Sequence, residues 1–372
     1  MIGRYDIAIV GAGMAGASLA AEIGGRASLL LIEAEAQPGY HSTGRSAAFW
    51  SESYGGPLVQ PLTSASGPFL RTPPAAFYDR SFLNPRGAIS LAEAGQEAVL
   101  DAMCRDFASS GVVLEWLDRA ALEHRIPGLR PGWSKGLSEP SCTDIDVAAL
   151  HGAYLRVARR QGAELIVDAA VTGIERCGDG WCLATRQGPV EADVIVNAAG
   201  AWADAVAAMA GLRPIGIQPY RRTIAQLRVD PPAPADLPLV IDALGHFYFK
   251  PEAGRLWLSP HDETPCPPCD AAAEDYDVAL AIDSLERVVD WRIERVEHKW
   301  AGLRSFAPDR LPVYGYADEQ PGFFWCAGQG GFGIQTAPAA GKLAAGLLLR
   351  VAPDPMVRHI DPSPYLAGRF AN

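Results

Sequence analysis

The run Asp6-Ile-Ala-Ile-Val10-Gly11-Ala-Gly13-Met-Ala15-Gly16 constrains this chain more than any other stretch. A short apolar segment reads as a buried strand, and a G-x-G-x-x-G turn follows at once, the pattern of a dinucleotide-binding βαβ unit. Gly11 allows the tight turn. Gly13 keeps a side chain out of the path of a pyrophosphate, and Gly16 lets the next helix lie against the strand. The spacing predicts an Ala-rich helix over 14–24 whose N-terminal N–H groups and dipole face phosphate. A second apolar strand over 28–32 ends at Glu33, which follows Gly11 by 22 residues. That spacing suits a carboxylate accepting bonds from ribose hydroxyls, and the acid disfavours a 2′-phosphate and hence NADP. FAD, NAD and S-adenosylmethionine remain open.

The chain has 372 residues, 49% hydrophobic and 20% charged, which leaves room for two cores. A net charge of −11 argues against nucleic acid or an anionic membrane surface as the main partner. No apolar stretch approaches the ~20 residues of a spanning helix. The N-terminal apolar run is explained as a strand rather than a leader, so a cytoplasmic protein is expected. Seven scattered cysteines are not a disulfide framework. Cys177 and Cys182 flank a Gly-Asp-Gly turn and are expected to be reduced. Cys266-Pro-Pro-Cys269 lacks a second Cys/His pair for zinc and a helix to acidify it, so it reads as a proline-rich turn and no metal is expected.

Beyond Glu33 the small, polar segment 34–48 is a loop leaving the C-terminal end of a parallel strand, where open α/β sheets bind ligands. Residues 49–54 add aromatic groups. From 55 to 145 the βα rhythm is lost, with dense Pro and Gly, a short strand over 88–91 and helices over 93–110 and 122–126. Asp146 caps a helix that ends at Gly162. A strand over 163–168 follows, then an antiparallel ribbon over 171–175, 181–185 and 190–191. A third buried strand over 192–197 runs into a glycine turn at Gly200. This return of βα order makes the dinucleotide domain discontinuous.

Strands are expected over 220–229, 239–242, 246–250 and 255–259, and a helix over 274–291. The stretch 300–309 reads as a loop carrying Arg304 among apolar neighbours. A strand over 322–327 leads into a second glycine-rich turn, Gly328-Gln-Gly-Gly331-Phe332-Gly333-Ile334-Gln335, and an Ala/Leu-rich helix. The fold class is therefore α/β: a Rossmann-like domain of 1–75, 145–205 and 315–372, and an α+β mixed-sheet substrate domain of 76–144 and 206–314.

Together these segments resemble the D-amino-acid oxidase/dehydrogenase family of FAD enzymes, which includes glycine and sarcosine oxidases. The carriers are the first glycine turn with Glu33, His41-Ser-Thr-Gly-Arg-Ser-Ala-Ala48, Val194-Ile-Val-Asn-Ala-Ala-Gly-Ala-Trp202, Trp300-Ala-Gly-Leu-Arg304 and Gly328-Gln-Gly-Gly-Phe-Gly333. The loop after Glu33 is most similar to that of D-arginine dehydrogenase and its relatives.

The resemblance implies FAD, held without a covalent bond, because Arg45-Ser46 stands where some members carry a flavin-linking His and no Cys lies in 305–316. It implies that Gly11, Gly13, Ala15, Gly16, Glu33, Ala34 and Thr43 cradle the nucleotide, with Val171 at the adenine. Arg45, Ser46, Ala47, Ala48, Gly200 and Trp202 would line the pyrophosphate and flavin. The turn Gly331, Phe332, Gly333, Ile334 and Gln335 would face the flavin N1–O2 edge.

Arg222 and Arg304 match positions that hold a substrate carboxylate, a task suited to planar guanidinium groups. Tyr54 and Tyr248 match the pocket walls. Members selective for basic substrates carry a carboxylate at Ala88 and a His near Phe49; this chain has neither, so neutral or apolar substrates are expected. The implied activity is oxidative deamination of a D-amino acid to a 2-oxo acid and ammonia by hydride transfer to flavin N5. The residues leave the electron acceptor open between oxygen, a quinone and another carrier. The alternatives are oxidation of a 2-hydroxy acid or an N-methylated amino acid, and a flavin-binding module without turnover.

Overall fold

A computed structural model of the chain describes residues 3–370. Its first strand, Gly3–Val10, lies at the centre of an eight-stranded sheet because its side chains are buried on both faces over the last four residues. It pairs in parallel with Leu29–Ile32 on one side and with Gly188–Asn197 on the other. Glu164–Ile166 extends the sheet beyond Leu29–Ile32, and Phe323–Ala327 runs parallel to the end of Gly188–Asn197. The parallel strands thus finish at one edge, and the strand-to-helix glycine turns at Gly11, Gly200 and Gly328 leave from it. Helix Met14–Ile23 packs between helices Val147–Arg160 and Ala337–Leu349 on one face, over a core that includes Ile9, Leu19, Leu150, Tyr154 and Ala344.

The second sheet is mixed. Gln218–Asp230 and Arg292–Phe306 pair along 13 register positions. Arg255–Ser259, Tyr248–Glu252 and Leu239–Asp242 follow in antiparallel order. Leu239–Asp242 then pairs in parallel with Ala88–Glu93. Helix Asp275–Val288 covers this sheet through Val278, Ala281, Leu285 and Val288. Phe49–Trp50, Thr143–Ile145 and Leu83–Pro85 form a small third sheet. Among the described residues, no helix is long and apolar enough to cross a membrane.

Several elements differ from the sequence reading. The stretch expected as a loop over 300–309 belongs to the strand Arg292–Phe306 through Phe306. Its small residues Ala301 and Gly302 suggest a turn, yet they face the long strand Gln218–Asp230 and are held by its ladder. The expected helix over 93–110 begins at Ala98, because Ala88–Glu93 stays paired with Trp133–Glu139. Residues 190–191 and 192–197 are one strand.

Helix Gln60–Arg71 lies where no helix was expected. Pro61 falls in its first turn, where a missing N–H costs nothing, and Pro68 is tolerated near its end. Cys177 and Cys182, expected to be reduced, form a disulfide with Cα atoms 5.6 Å apart. The hairpin sets Cys177 opposite Gly180 and Cys182 opposite Glu175, so the two lie diagonally across a tight turn within bridging reach. Cys266 and Cys269 are free thiols.

Candidate active site

At the C-terminal edge of the first sheet lies a cavity of about 380 Å³. Gly11 turns the chain there with φ +103°, and a Cβ on it would lie 2.4 Å from the Ala198 carbonyl oxygen. A Cβ on Gly16 would lie 2.0 Å from the Gly11 carbonyl oxygen, so Gly16 sits behind the cavity wall and permits the close helix. Gly13 is different. Its φ is −71°, which any residue adopts, and a Cβ there would meet only the Thr43 hydroxyl at 3.4 Å. Nothing in the protein demands glycine at 13, and the space it leaves opens into the cavity. That space is the room a pyrophosphate needs against the start of helix Met14–Ile23.

Thr43 holds this helix start: its Oγ1 accepts the Met14 N–H at 3.0 Å. His151 donates through Nε2 to the Ala12 carbonyl oxygen at 2.8 Å, and burial pushes its pKa down. Glu33 is buried, and its two oxygens accept the N–H groups of Ala12 and Glu35, each at 3.1 Å. Burial pushes its carboxyl up, against the backbone donors that pull it down. Ala15 and Ala34 line the wall beside these groups, and Val171 lines it on the hairpin side. Buried Asn197 fixes the neighbouring turn: its Nδ2 donates to the Ala203 carbonyl at 2.7 Å and its Oδ1 accepts the Ala199 N–H at 3.3 Å. Gly200 and Trp202 face the cavity from that turn, and Trp202 packs on His41 with ring centroids 4.7 Å apart.

Arg45, Ser46 and Ala47 line the middle of the cavity. The Arg45 guanidinium pairs with Asp270 and donates to the Ala271 carbonyl at 2.8 Å and the Ala301 carbonyl at 3.2 Å. It therefore ties the loop after Glu33 to the second sheet. Ala48 turns the other way and packs against the core beneath helix Met14–Ile23.

Gly331, Gly333 and Ile334 close the far end. Phe332 and Gln335 stand behind that wall. Gln335 is buried; its Oε1 accepts the Ser51 N–H at 3.2 Å, and its Nε2 donates to the Tyr54 carbonyl and the Thr63 hydroxyl, both at 3.0 Å. Phe332 packs on Tyr54 with centroids 5.3 Å apart.

Arg222 and Arg304 reach the same end of the cavity. Arg222 is opposite Gly302 and Arg304 opposite Tyr220 on adjacent antiparallel strands, so both side chains leave one face of the sheet. Arg221, one residue away, leaves the other face and pairs with Glu274 and Asp277. Arg222 is buried. Its Nε donates to the Asp262 carbonyl at 2.8 Å, its Nη2 to Glu263 at 3.2 Å, and its Nη1 has no partner among the described residues. Burial, and then the neighbouring Arg304 charge, pull Arg222 down to about 10. Arg304 donates through Nη1 to the Tyr54 hydroxyl.

Around the two arginines stands an apolar group of Phe49, Ala88, Tyr248 and Ile224, with Tyr54 packed against it. The ring centroids of Phe49 lie 5.1 Å from Tyr54 and 6.3 Å from Tyr248. The buried Tyr248 hydroxyl has no partner among the described residues.

Three participants escaped the sequence reading. Ile224 shares the face of Arg222 two residues on, a signal present in the strand pattern. Ser305 lines the cavity with a buried, unpartnered hydroxyl. His261 packs on Tyr248 with centroids 5.7 Å apart, its Nδ1 2.7 Å from the Gly245 carbonyl oxygen. Burial, and then Arg222 and Arg304, push His261 down to about 2, so it is neutral. No local pattern marks it.

A Rossmann-like sheet whose glycine turns wall a long cavity, joined to a mixed sheet that closes the far end, is the architecture of a two-domain flavoprotein. The sequence profile of the DAO family, described as FAD dependent oxidoreductase, matches residues 6–347, and the chain belongs to that family. Glycine oxidase of Geobacillus kaustophilus strain HTA426 is 27% identical over 380 residues, covering 97% of this chain and 98% of that protein. Hydrogen cyanide synthase subunit HcnC of Pseudomonas aeruginosa is 26% identical over 421 residues, covering 98% and 96%. The crystal structure of the Geobacillus kaustophilus glycine oxidase superposes with a TM-score of 0.83 at 24% identity over 98% of both chains.

FAD is the cofactor, and the residues present fit it. The space at Gly13 and the helix start suit the pyrophosphate, and Glu33 suits a ribose. The Gly331–Ile334 turn faces the end where the arginines converge.

Proposed function

We propose that this protein oxidises the Cα–N bond of a neutral or apolar D-amino acid, releasing a 2-oxo acid and ammonia after hydrolysis. The observation that carries this reading is the pair Arg222 and Arg304, which leave one sheet face beside Gly331 within an aromatic wall. A guanidinium stays charged and takes a carboxylate through two parallel N–H donors. The unpartnered Arg222 Nη1 and Tyr248 hydroxyl are buried donors that a bound carboxylate would satisfy, and leaving them unmet is costly.

Phe49, Ala88, Tyr248 and Ile224 offer no charge to a substrate side chain. A cationic side chain there would be desolvated without a partner, which is why a neutral one is proposed. The likeness of the loop after Glu33 to D-arginine dehydrogenase bears on the cofactor cradle, whereas Ala88 and Phe49 bear on the substrate.

When bound, FAD would accept a hydride, and with it both electrons, from the substrate Cα. The chain's part is positioning. The arginines fix the carboxylate, the aromatic rings exclude water, and orientation lowers the barrier. The experiment is product analysis over paired D- and L-amino acids. Stoichiometric ammonia and 2-oxo acid from a neutral D-amino acid, with little from its L-isomer or from D-Arg, supports the reading. Preference for D-Arg or for L-isomers defeats it.

A second reading is supported by the full-length likeness to glycine oxidase. It is oxidation of glycine or an N-methylated amino acid at the same site. Release of methylamine from sarcosine, faster than ammonia from any D-amino acid, would favour it.

A further inference from the structure

Glu139 ends the strand Trp133–Glu139, opposite Ala88, and is buried beneath the turn that carries Tyr54. Its Oε2 accepts the Ser51 hydroxyl at 2.8 Å and the Ser53 hydroxyl, and its Oε1 accepts the Glu52 N–H at 2.6 Å. A buried carboxylate is expensive, and these donors, with the Ser141 hydroxyl 3.5 Å from Oε1, offset the cost. Burial pushes the carboxyl up while the donors pull it down.

The same turn is gripped from its other side by Gln335, which takes the Ser51 N–H and donates to the Tyr54 carbonyl. The turn closes on itself through the Tyr54 N–H and the Ser51 carbonyl at 3.3 Å. Tyr54 leaves this clamp to accept from Arg304. Glu139 lies 88 residues from Ser51 in sequence and touches neither the cavity nor Arg304.

We propose that Glu139 is a positioning residue for substrate binding: it fixes the Ser51–Ser53 turn so that the Tyr54 hydroxyl meets Arg304 and holds its guanidinium in the carboxylate-binding pose. This rests on the reading of Arg304 given above. The chemistry distinguishes three variants. Glu139→Ala removes the acceptor and leaves the turn to Gln335, to its own Tyr54–Ser51 bond and to the bonds of Ser64 and Ser141 to Glu52. Glu139→Gln keeps one oxygen for the Glu52 N–H, and its amide donates to the serine hydroxyls, which accept as readily as they donate. Tyr54→Phe removes the link to Arg304 directly.

The test uses the holoenzyme and propionate as a simple carboxylate, with affinity read from perturbation of the flavin absorption band. Glu139→Ala is expected to weaken propionate about tenfold, the loss of one charge-assisted bond, while flavin content is retained. Glu139→Gln is expected to restore binding. Adding Glu139→Ala to Tyr54→Phe is expected to cost nothing further, since both act through one contact.

Unchanged affinity in Glu139→Ala while Tyr54→Phe loses it overturns the inference, as do additive losses in the double variant. Unchanged affinity in Arg304→Ala overturns the reading of the site and this inference with it. If Glu139→Ala does not fold, Ser53→Ala removes one of the same bonds, and a wild-type affinity there counts against the proposal.

Discussion

Gly331 leaves Arg304 no room for a neighbouring side chain: a Cβ added to Gly331 would lie 2.9 Å from Arg304 Nη1 and 2.8 Å from the Tyr54 hydroxyl that this nitrogen meets. The glycine-rich turn at the cofactor and the proposed substrate anchor thus stand too close for a side chain between them. Gly331→Ala displaces the far ends of two side chains rather than backbone. We expect it to raise KM about tenfold, the loss of one hydrogen bond to a charged group, with flavin content unchanged. Steady-state kinetics with a flavin assay on the same sample checks this. An unaltered KM would separate the turn from the substrate.

Arg304→Ala removes a cation from the proposed carboxylate site. Truncating one side of a buried charge pair costs about 2–5 kcal/mol, so substrate affinity is expected to fall by about a hundredfold. The flavin spectrum is expected to stay native, because the nucleotide contacts lie at the other end of the cavity. Wild-type kinetics in this variant would remove Arg304 from the site.

Glu33 gives a pH dependence whose sign is fixed. Burial raises its carboxyl above the ordinary value, so the fold without cofactor favours the neutral form relative to the unfolded chain. Its contribution to the stability of the apoprotein is present below the ordinary carboxylate pKa and lost as pH rises through the raised value. Ribose hydroxyls donate to the charged form. FAD affinity is therefore expected to fall as pH drops through the raised pKa, and Glu33→Gln to remove that component. Quenching of FAD fluorescence on binding, followed from neutral to mildly acidic pH in both proteins, is the check. Parallel pH profiles for the two would refute it.

No covalent link to FAD is expected. Arg45 is committed to Asp270, Ala271 and Ala301, and the free thiol Cys326 is buried behind the Gly328 turn. After acid precipitation the flavin should remain in the supernatant. A yellow pellet would contradict this.

The nucleotide end of the site was legible in sequence because its chemistry is local. Gly11, Gly13 and Gly16 lie within one turn, and Glu33 falls at a spacing fixed by one helix and one strand. The Arg304 strand was hidden because Ala301 and Gly302 have turn-like composition, and what orders them is a partner strand about 80 residues earlier. Helix Gln60–Arg71 was hidden by its two prolines, which its ends and packing absorb. Glu139 was invisible for the reason Arg304 was misread: its partners are distant in sequence, and no pattern in one segment announces them. The family resemblance pointed to Arg222 and Arg304, whereas only the register showed that the two share a face and Arg221 does not.

The most direct measurement is anaerobic mixing of the purified yellow protein with a panel of D- and L-amino acids, glycine and sarcosine, while the flavin band is followed. The account predicts rapid bleaching by a neutral D-amino acid and strongly weakened concentration dependence in Arg222→Ala and Arg304→Ala. A flavin that no amino acid bleaches, or one bleached equally well with both arginines removed, would contradict it.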